Sequence, residues 1–453
     1  MIIRFTSTNP NALDILKKNP ESFSGIQLRS HKNGVAIGRI ISAKIPIEYH
    51  MIFQDTKYSY SQDSSNQIDF QSYCNPRAAL GLIGELLRHV LVSDQDWRDT
   101  DIPWLNSTIG EVDTRDFNHT IIVDNLYADG FNLDGGLVLE KYFKEISLKR
   151  NGQNQFELKI DVCRDTIHYT INLLAFVCMY LAATNKQPWY LNRDIASKYI
   201  RVLENIGDVP YFILYLFARS CLPSEELFNE FAPRLENIFY SYDDRANDLT
   251  MVYGNTQSMR LRSISDLLLT NDKIFSNIIE IGCGDGDYPR RLAKKLNNGL
   301  SWWSYDIEDH SYLNRKIPEM MGKLATFKFT QEWDQIPLLD NPIVLLVEVI
   351  EHMSVEEAIE LICRILDKHS PTQLIITTPN RTFNNYYRFD PEDDGFRHSD
   401  HNFEMTQEQF KEYILSIIKL LPYDASFFGI GDRIDADYTT QGVVLTRKDP
   451  GSS

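Results

Sequence analysis

The sequence predicts two units of different class: an α+β module over residues 1–240 and, beyond a linker at 241–254, a doubly wound α/β domain over 255–448. Three observations carry this. After residue 255, short β-branched apolar runs alternate with helical periodicities, a pattern that implies right-handed crossovers onto a mostly parallel sheet. Before it, short alternating runs come first, and a helical pattern takes over only from Ile167 to about Tyr240. Between them lies Ser241-Tyr-Asp-Asp-Arg-Ala-Asn-Asp248, too polar to join either core.

In order, Ile2-Ile-Arg-Phe-Thr, Val35-Ala-Ile-Gly-Arg-Ile-Ile and Glu48-Tyr-His-Met-Ile-Phe read as strands, and Ala12 to Asn19 has helical spacing. Pro76 to Val92 is amphipathic, with Leu80, Leu82, Ile83, Leu86 and Leu87 on one face. Strands are expected at 120–124 and 156–162, then helices near 168–183, 191–205, 210–219 and 223–238. The histidines of this module (His31, His50, His89, His119, His168) are dispersed and suggest no catalytic constellation. In the second unit a helix is expected at 255–271. Strands follow at 277–282, 302–306, 325–330, 343–348, 372–378 and 442–446, with helices near 287–297, 310–321, 354–368 and 406–420.

The chain has 453 residues, 43% apolar and 24% charged, ordinary for a globular protein. The net charge of −17 argues against a broad basic face for nucleic acid, so such a ligand must be gripped locally or delivered by a partner. No signal peptide or membrane span is expected. Six scattered cysteines without a Cys-x-x-Cys pair read as buried thiols of a cytoplasmic protein.

Two stretches carry chemistry. Ile278-Ile-Glu280-Ile-Gly282-Cys-Gly284-Asp-Gly286 is a strand entering a glycine-rich turn. It departs from the dinucleotide fingerprint, because Asp287 stands where the third glycine belongs. Glu280, Asp285 and Asp287 suit a ligand with an amino group and a positive charge rather than a pyrophosphate. Asp306, ending the next strand, is placed to accept from ribose hydroxyls. The pattern resembles the first motif of class I (Rossmann-like) S-adenosylmethionine-dependent methyltransferases.

The second stretch is Ile343-Val-Leu-Leu-Val-Glu348-Val-Ile-Glu351-His352, a buried strand ending in two carboxylates and an imidazole. Ser354-Val-Glu-Glu357 then gives a capping box for the next helix. Such a turn suits a divalent cation; a solvated acidic turn with a capping histidine competes. Another imidazole, from His398 or His401, could complete the set, and mixed oxygen and nitrogen donors favour Mn²⁺ over Mg²⁺.

Together, Glu348-Val-Ile-Glu351-His352, Thr378-Pro-Asn380 with Asn384, and Phe396-Arg397-His-x-Asp400-His401-x-Phe403-Glu404 resemble the Hen-type small-RNA 3′-terminal ribose 2′-O-methyltransferases. The first module more faintly resembles the one found in their bacterial branch, through Phe5-Thr-Ser-Thr-Asn-Pro10, Trp189-Tyr-Leu and Ala218-Arg219. The resemblance makes Glu348, Glu351, His352 and His401 the metal ligands. Glu280, Gly282, Gly284, Asp306, Thr330 and Gln331 lie on the cofactor side. Glu351 and His352 stand nearest the chemistry, with His352 a candidate acceptor of the departing proton. Arg381, Arg388 and Arg397 are candidates for RNA phosphate contacts.

It further implies S-adenosyl-L-methionine and Mn²⁺ (or Mg²⁺), an RNA 3′ end carrying a 2′,3′-diol, such as a cleaved tRNA, and a hetero-oligomer with a polynucleotide kinase–phosphatase–ligase. Two departures stand out: Met405 where the family has Trp, and Phe329-Thr330-Gln331 where it has Gly-Ser. The competing functions are a metal-independent methyltransferase on another substrate, or a mainly non-catalytic, ligase-activating subunit.

Overall fold

A computed structural model describes residues 1–18, 25–31, 34–55, 74–128, 139–152, 154–184, 189–240, 248–270, 277–292, 295, 300–320, 326–387 and 395–448. The chain divides into two compact units, 1–242 and 243–453.

The first unit is built on a seven-stranded antiparallel sheet. Its strands are β1 (Ile2–Ser7), β2 (Ile26–His31), β3 (Gly34–Ser42), β4 (Ile47–Asp55), β5 (His119–Tyr127), β6 (Ile146–Gly152) and β7 (Gln155–Val162). Their order is β2-β3-β4-β1-β5-β7-β6. Five main helices accompany them: α1 (Pro76–Leu86), α2 (Ile167–Ala183), α3 (Arg193–Ile206), α4 (Tyr211–Cys221) and α5 (Glu225–Glu236). Proline in the first turn and the Asn75 side chain, accepting from the Ala78 amide, start α1. It stops short of the expected Val92 and passes into a 3₁₀ turn, Arg88–Val90. The helix expected over 12–19 is a single turn, Ala12–Ile15, followed by left-handed Lys17 (φ 57°). α2 is buried nearly all round, as its unbroken apolar run requires. No helix among the described residues is long and apolar enough to cross a membrane. Cys163 is exposed and Cys363 half-buried, against the expectation of six buried thiols; the other four are buried.

The second unit contains β8 (Asn277–Ile281), β9 (Ser301–Tyr305), β10 (Thr326–Thr330), β11 (Ile343–Val347), β12 (Gln373–Pro379), β13 (Tyr423–Ile434) and β14 (Asp437–Arg447). Its helices are α6 (Thr256–Leu269), α7 (Asp287–Leu292), α8 (Leu313–Met320), α9 (Val355–His369), α10 (Arg381–Tyr387) and α11 (Gln407–Ile418). The sheet runs β13-β14-β12-β11-β8-β9-β10, with the two-residue strand Leu249–Thr250 paired on β13. β8 to β12 are parallel, and the β13–β14 hairpin closes one side antiparallel. Alternate residues feed two cores: Val344, Leu346 and Ile376 pack with Ile362, Phe410 and Ile414, whereas Ile343, Leu345 and Ile375 pack with Ile264 and Leu268. A strand covered on both faces must be apolar throughout, hence the run of β11.

β2 and β6 of the first unit and β13 of the second were not anticipated, and α10 stands where a loop was read.

Candidate metal and cofactor site

The strand order reverses between β8 and β11, so a crevice opens beyond their carboxyl ends. Glu348 leaves β11 with a positive φ of 53°, Ile350–His352 form a 3₁₀ turn, and Ser354 starts α9. The Ser354 hydroxyl accepts from the Glu357 amide, and the Glu357 carboxylate accepts from the Ser354 amide at 2.8 Å. This box pins the carboxyl end of the turn that carries Glu351 and His352.

Glu351, His352 and His401 each offer one donor atom, all within 4.8 Å of one another. Two bonds join their loops: the Asn402 amide donates to the Glu351 carbonyl at 2.7 Å, and Asn402 Nδ2 to the His352 carbonyl at 2.8 Å. Glu351 is fully buried; Oε2 accepts from Thr378 Oγ1 at 3.2 Å, and Oε1 has no hydrogen-bond partner. Burial, reinforced by the charge of Glu348, raises its pKa well above the usual carboxyl range. His401 Nδ1 lies 2.6 Å from Glu404 Oε1. A carboxylate only accepts, so Nδ1 carries the proton and Nε2 keeps its lone pair. His352 Nδ1 is 3.2 Å from Asp400 Oδ2, an ion-pair distance between two exposed side chains with no hydrogen bond between them. A buried carboxylate with one unpartnered oxygen, grouped with two imidazoles, suits a divalent cation of borderline character.

Glu404 orders this loop. Besides His401, it accepts from the Arg397 amide at 2.7 Å and from Asn384 Nδ2, and its side chain is wholly buried. His398, the competing ligand, is exposed and outside the group of three, its ring 5.2 Å from that of His401. Glu348 is also outside the group. Its Oε2 is 3.1 Å from Arg260 Nη1 and its Oε1 accepts from Thr377 Oγ1 at 2.9 Å. Three of the four expected ligands thus come together, and the fourth is held by an arginine on α6.

Glu348 and Arg260 line a cleft of about 740 Å³, open to solvent, together with Gln257, Glu280, Gly282 and Gly284. Gly282 has φ +72°, and a Cβ there would come within 2.3 Å of Val349 Cγ2. Only glycine lets the two turns approach this closely. Asp306 Oδ2 accepts from the Gly284 amide at 2.8 Å and Oδ1 from the Glu308 amide at 3.0 Å. Glu280 is buried at the foot of the cleft, where Oε2 accepts from Trp302 Nε1 at 3.0 Å and Ser304 Oγ at 2.9 Å. Burial pushes its pKa up to about 8. Gln331 Nε2 donates to the Ile307 carbonyl at 3.1 Å, whereas Thr330 bonds inward to Gln335 at 3.0 Å. Arg260 is the one cation among these lining residues, against the carboxylates of Asp285, Asp287 and Glu348. Sequence reading missed it because nothing in α6 marks an arginine facing a site some ninety residues downstream.

Of the arginines, Arg397 is consumed by the fold: Nε donates to Asn384 Oδ1 at 3.0 Å and Nη2 to the Thr439 carbonyl at 2.7 Å. The Arg381 guanidinium lies over the Phe396 ring at 5.9 Å. Arg388 lies outside the described residues.

A parallel sheet reversed between β8 and β11, with a glycine turn on one side of the crevice, defines a class I (Rossmann-like) methyltransferase fold. The model of the Hen1 N-terminal domain matches residues 2–240, more than half of the chain, and the chain belongs to the Hen1 family. It is also similar, at 33% identity over 99% of its length and all of the other chain, to a chain in the structure of the Pnkp1/Rnl/Hen1 RNA repair complex, with a TM-score of 0.83. A second structure of that complex gives 0.80. Small RNA 2′-O-methyltransferases of Arabidopsis thaliana (27% identical, 38% of this chain) and Drosophila melanogaster (35%, 25% of this chain) match as well. These matches span 21% and 30% of the relatives' lengths.

Proposed function

We propose that this protein transfers a methyl group from S-adenosyl-L-methionine to the 2′-hydroxyl of the 3′-terminal ribose of RNA, with a divalent cation, Mn²⁺ or Mg²⁺, at the Glu351, His352 and His401 cluster. It would act in RNA repair beside a kinase–phosphatase–ligase, with its first unit as the partner-binding module. The observation that carries the reading is the unpartnered Oε1 of fully buried Glu351 next to two imidazoles. An unsatisfied buried carboxylate oxygen is costly unless something fills its place. Membership in Hen1, small RNA 2′-O-methyltransferases as relatives, and likeness over the whole chain to a component of an RNA repair complex support the substrate and the setting.

A ribose hydroxyl is a weak nucleophile at neutral pH, and a divalent cation supplies the Lewis acidity that makes it reactive. The residues do the rest. The glycine turn lets the cofactor approach the backbone, and the acidic lining suits its ammonium and sulfonium charges. Arg260 matches its carboxylate, and that exchange would release Glu348 toward the other three ligands. Glu404 fixes the orientation of the His401 imidazole, and orientation is a large share of a displacement's rate.

The test is methyl transfer from labelled cofactor to RNAs ending in a 2′,3′-diol, a 2′-deoxy or a 3′-phosphate, with Mn²⁺ or a chelator. Transfer is expected to the diol end alone, and only with metal. Full activity under chelation would favour a metal-independent enzyme. No transfer to any end, with ligase stimulation intact, would leave the assembly role.

A further inference from the structure

The first unit carries a positively charged hollow that methyl transfer leaves unused. It is an open cleft of about 1010 Å³ bounded by β2, α1 and α3. Arg29 enters from β2, Arg88 from the 3₁₀ turn after α1, and Lys198 from α3. Leu80 and Ile195 make an apolar wall, and Glu85 is the one carboxylate on the lining.

Four arginines elsewhere on this unit are paired. Arg4, Arg98, Arg193 and Arg234 each have a carboxylate within 3.2 Å. Arg29, Arg88 and Lys198 have no hydrogen-bond or ion-pair partner among the described residues. The chain has 63 acidic and 46 basic side chains, so carboxylates are in surplus. Three cations with no such partner among the described residues, collected in one concavity, stand against that surplus. A cleft lined by one sign of charge focuses the field inside it.

The amine of Lys198 is recessed. It is half-buried, and a Cβ on Gly84 of α1 would stand 3.2 Å from Nζ. Glycine inside a helix costs about 1 kcal/mol relative to alanine, and here it makes room for the amine. Burial and then the nearby Arg88 charge lower the Lys198 pKa, and the opposing Glu85 charge offsets only part of this. Lys18, beside Arg29 and bonded to the Leu86 carbonyl at 3.1 Å, extends the positive field.

We propose that this cleft binds the phosphate groups of a nucleotide or of an RNA strand, a second anion site belonging to the first unit. Two guanidinium forks and a recessed ammonium match the charged non-bridging oxygens of a tetrahedral phosphate. The apolar wall suits the attached sugar or base. An acidic protein surface is the poorer match, since a side-chain carboxylate on a flat interface does not reach into a recess of this kind.

The test uses the full chain and three probes: inorganic tripolyphosphate, ATP, and a labelled RNA 12-mer whose 3′ ribose is already 2′-O-methylated. Binding is followed by anisotropy or calorimetry over a salt series, and Lys198 acetylation by mass spectrometry with and without each probe. At least one probe should bind and protect Lys198. Arg88→Glu and Lys198→Glu should each weaken it by about tenfold or more, and reduce the salt slope by roughly one for each cation lost. Binding of tripolyphosphate and ATP would point to a free nucleotide; binding of the RNA alone would point to the strand. Lys198→Met, which keeps the packing, separates loss of charge from loss of fold. Equal binding in wild type and both charge-reversed variants would overturn the proposal. So would Lys198 acetylation that no probe slows.

Discussion

Two turns leave neighbouring parallel strands of the second unit, and they solve opposite problems. The turn after β8 gives up side chains: Gly282, Gly284 and Gly286 all have positive φ, and the backbone itself forms the surface. The turn after β11 does the reverse, putting Glu348, Glu351 and His352 on five residues. Each strand end also carries a buried carboxyl whose pKa burial raises, Glu280 on one and Glu351 on the other. Glu280 has two donors on one oxygen. Glu351 has one donor and an oxygen with none. Burial alone therefore does not mark a ligand. What separates a structural carboxyl from a metal-binding one here is that the unpartnered oxygen of Glu351 is sealed from solvent and its carboxylate is grouped with two imidazoles.

If that distinction is right, the two sites respond differently to substitution. The largest effects belong to Glu351→Ala and His401→Ala, which remove donors outright. Methyl transfer should fall by at least the 10- to 100-fold, roughly, that loss of an outer partner costs metal sites. Mn²⁺ binding followed by electron paramagnetic resonance should weaken in parallel. Unchanged Mn²⁺ affinity in both variants would erase the contrast between the turns. Next comes Glu404→Gln, which leaves every donor present but removes the fixed charge behind His401. A loss of about 10- to 100-fold in metal affinity is expected, with a lower melting temperature, because Glu404 also holds Arg397 and Asn384. A smaller effect follows from Arg260→Met: cofactor KM should rise by about tenfold, the scale of one charge-assisted hydrogen bond. Mn²⁺ binding without cofactor should stay equal or tighten, since Glu348 is then unclamped.

The two turns were also unequally legible. The glycine turn, β11 and the capping box at Ser354 are local patterns, and the sequence displays local patterns directly. The choice of His401 over His398 as the partner of Glu351 and His352 came only from a family resemblance, because fifty residues of α9, β12 and α10 separate them and spacing says nothing about where a chain returns. Arg260 left no trace: its role depends on α6 packing beside β8, a tertiary fact. β13 went unread because Gly429 and Gly431 interrupt its apolar alternation, and because its register is supplied by β14 across a hairpin. α10 is rich in asparagine and aromatic residues, weak helix formers, and exists through contacts such as buried Phe383. Arg397 looked like a rim cation by sequence, yet its guanidinium is spent on Asn384 and Thr439.

The smallest predicted effect tests the structural member of the pair. Burial, with the charges of Asp287 and Asp306 adding to it, pushes the Glu280 carboxyl from its ordinary 4.5 up to about 8. A raised carboxyl pKa means that the folded state holds the proton more tightly than the unfolded one. The associated stability is complete below pH 4.5 and drains away as pH rises toward 8. Glu280→Gln keeps an acceptor for Trp302 and Ser304 but removes the titration. Relative to the variant, the wild-type protein without cofactor should therefore lose melting temperature between pH 5 and pH 9, by roughly 2–4 °C for each kcal/mol of lost linkage in a unit of this size. Parallel melting profiles would mean that Glu280 is ionised at neutral pH despite its burial, and the distinction between the two carboxyls would fail on its structural side.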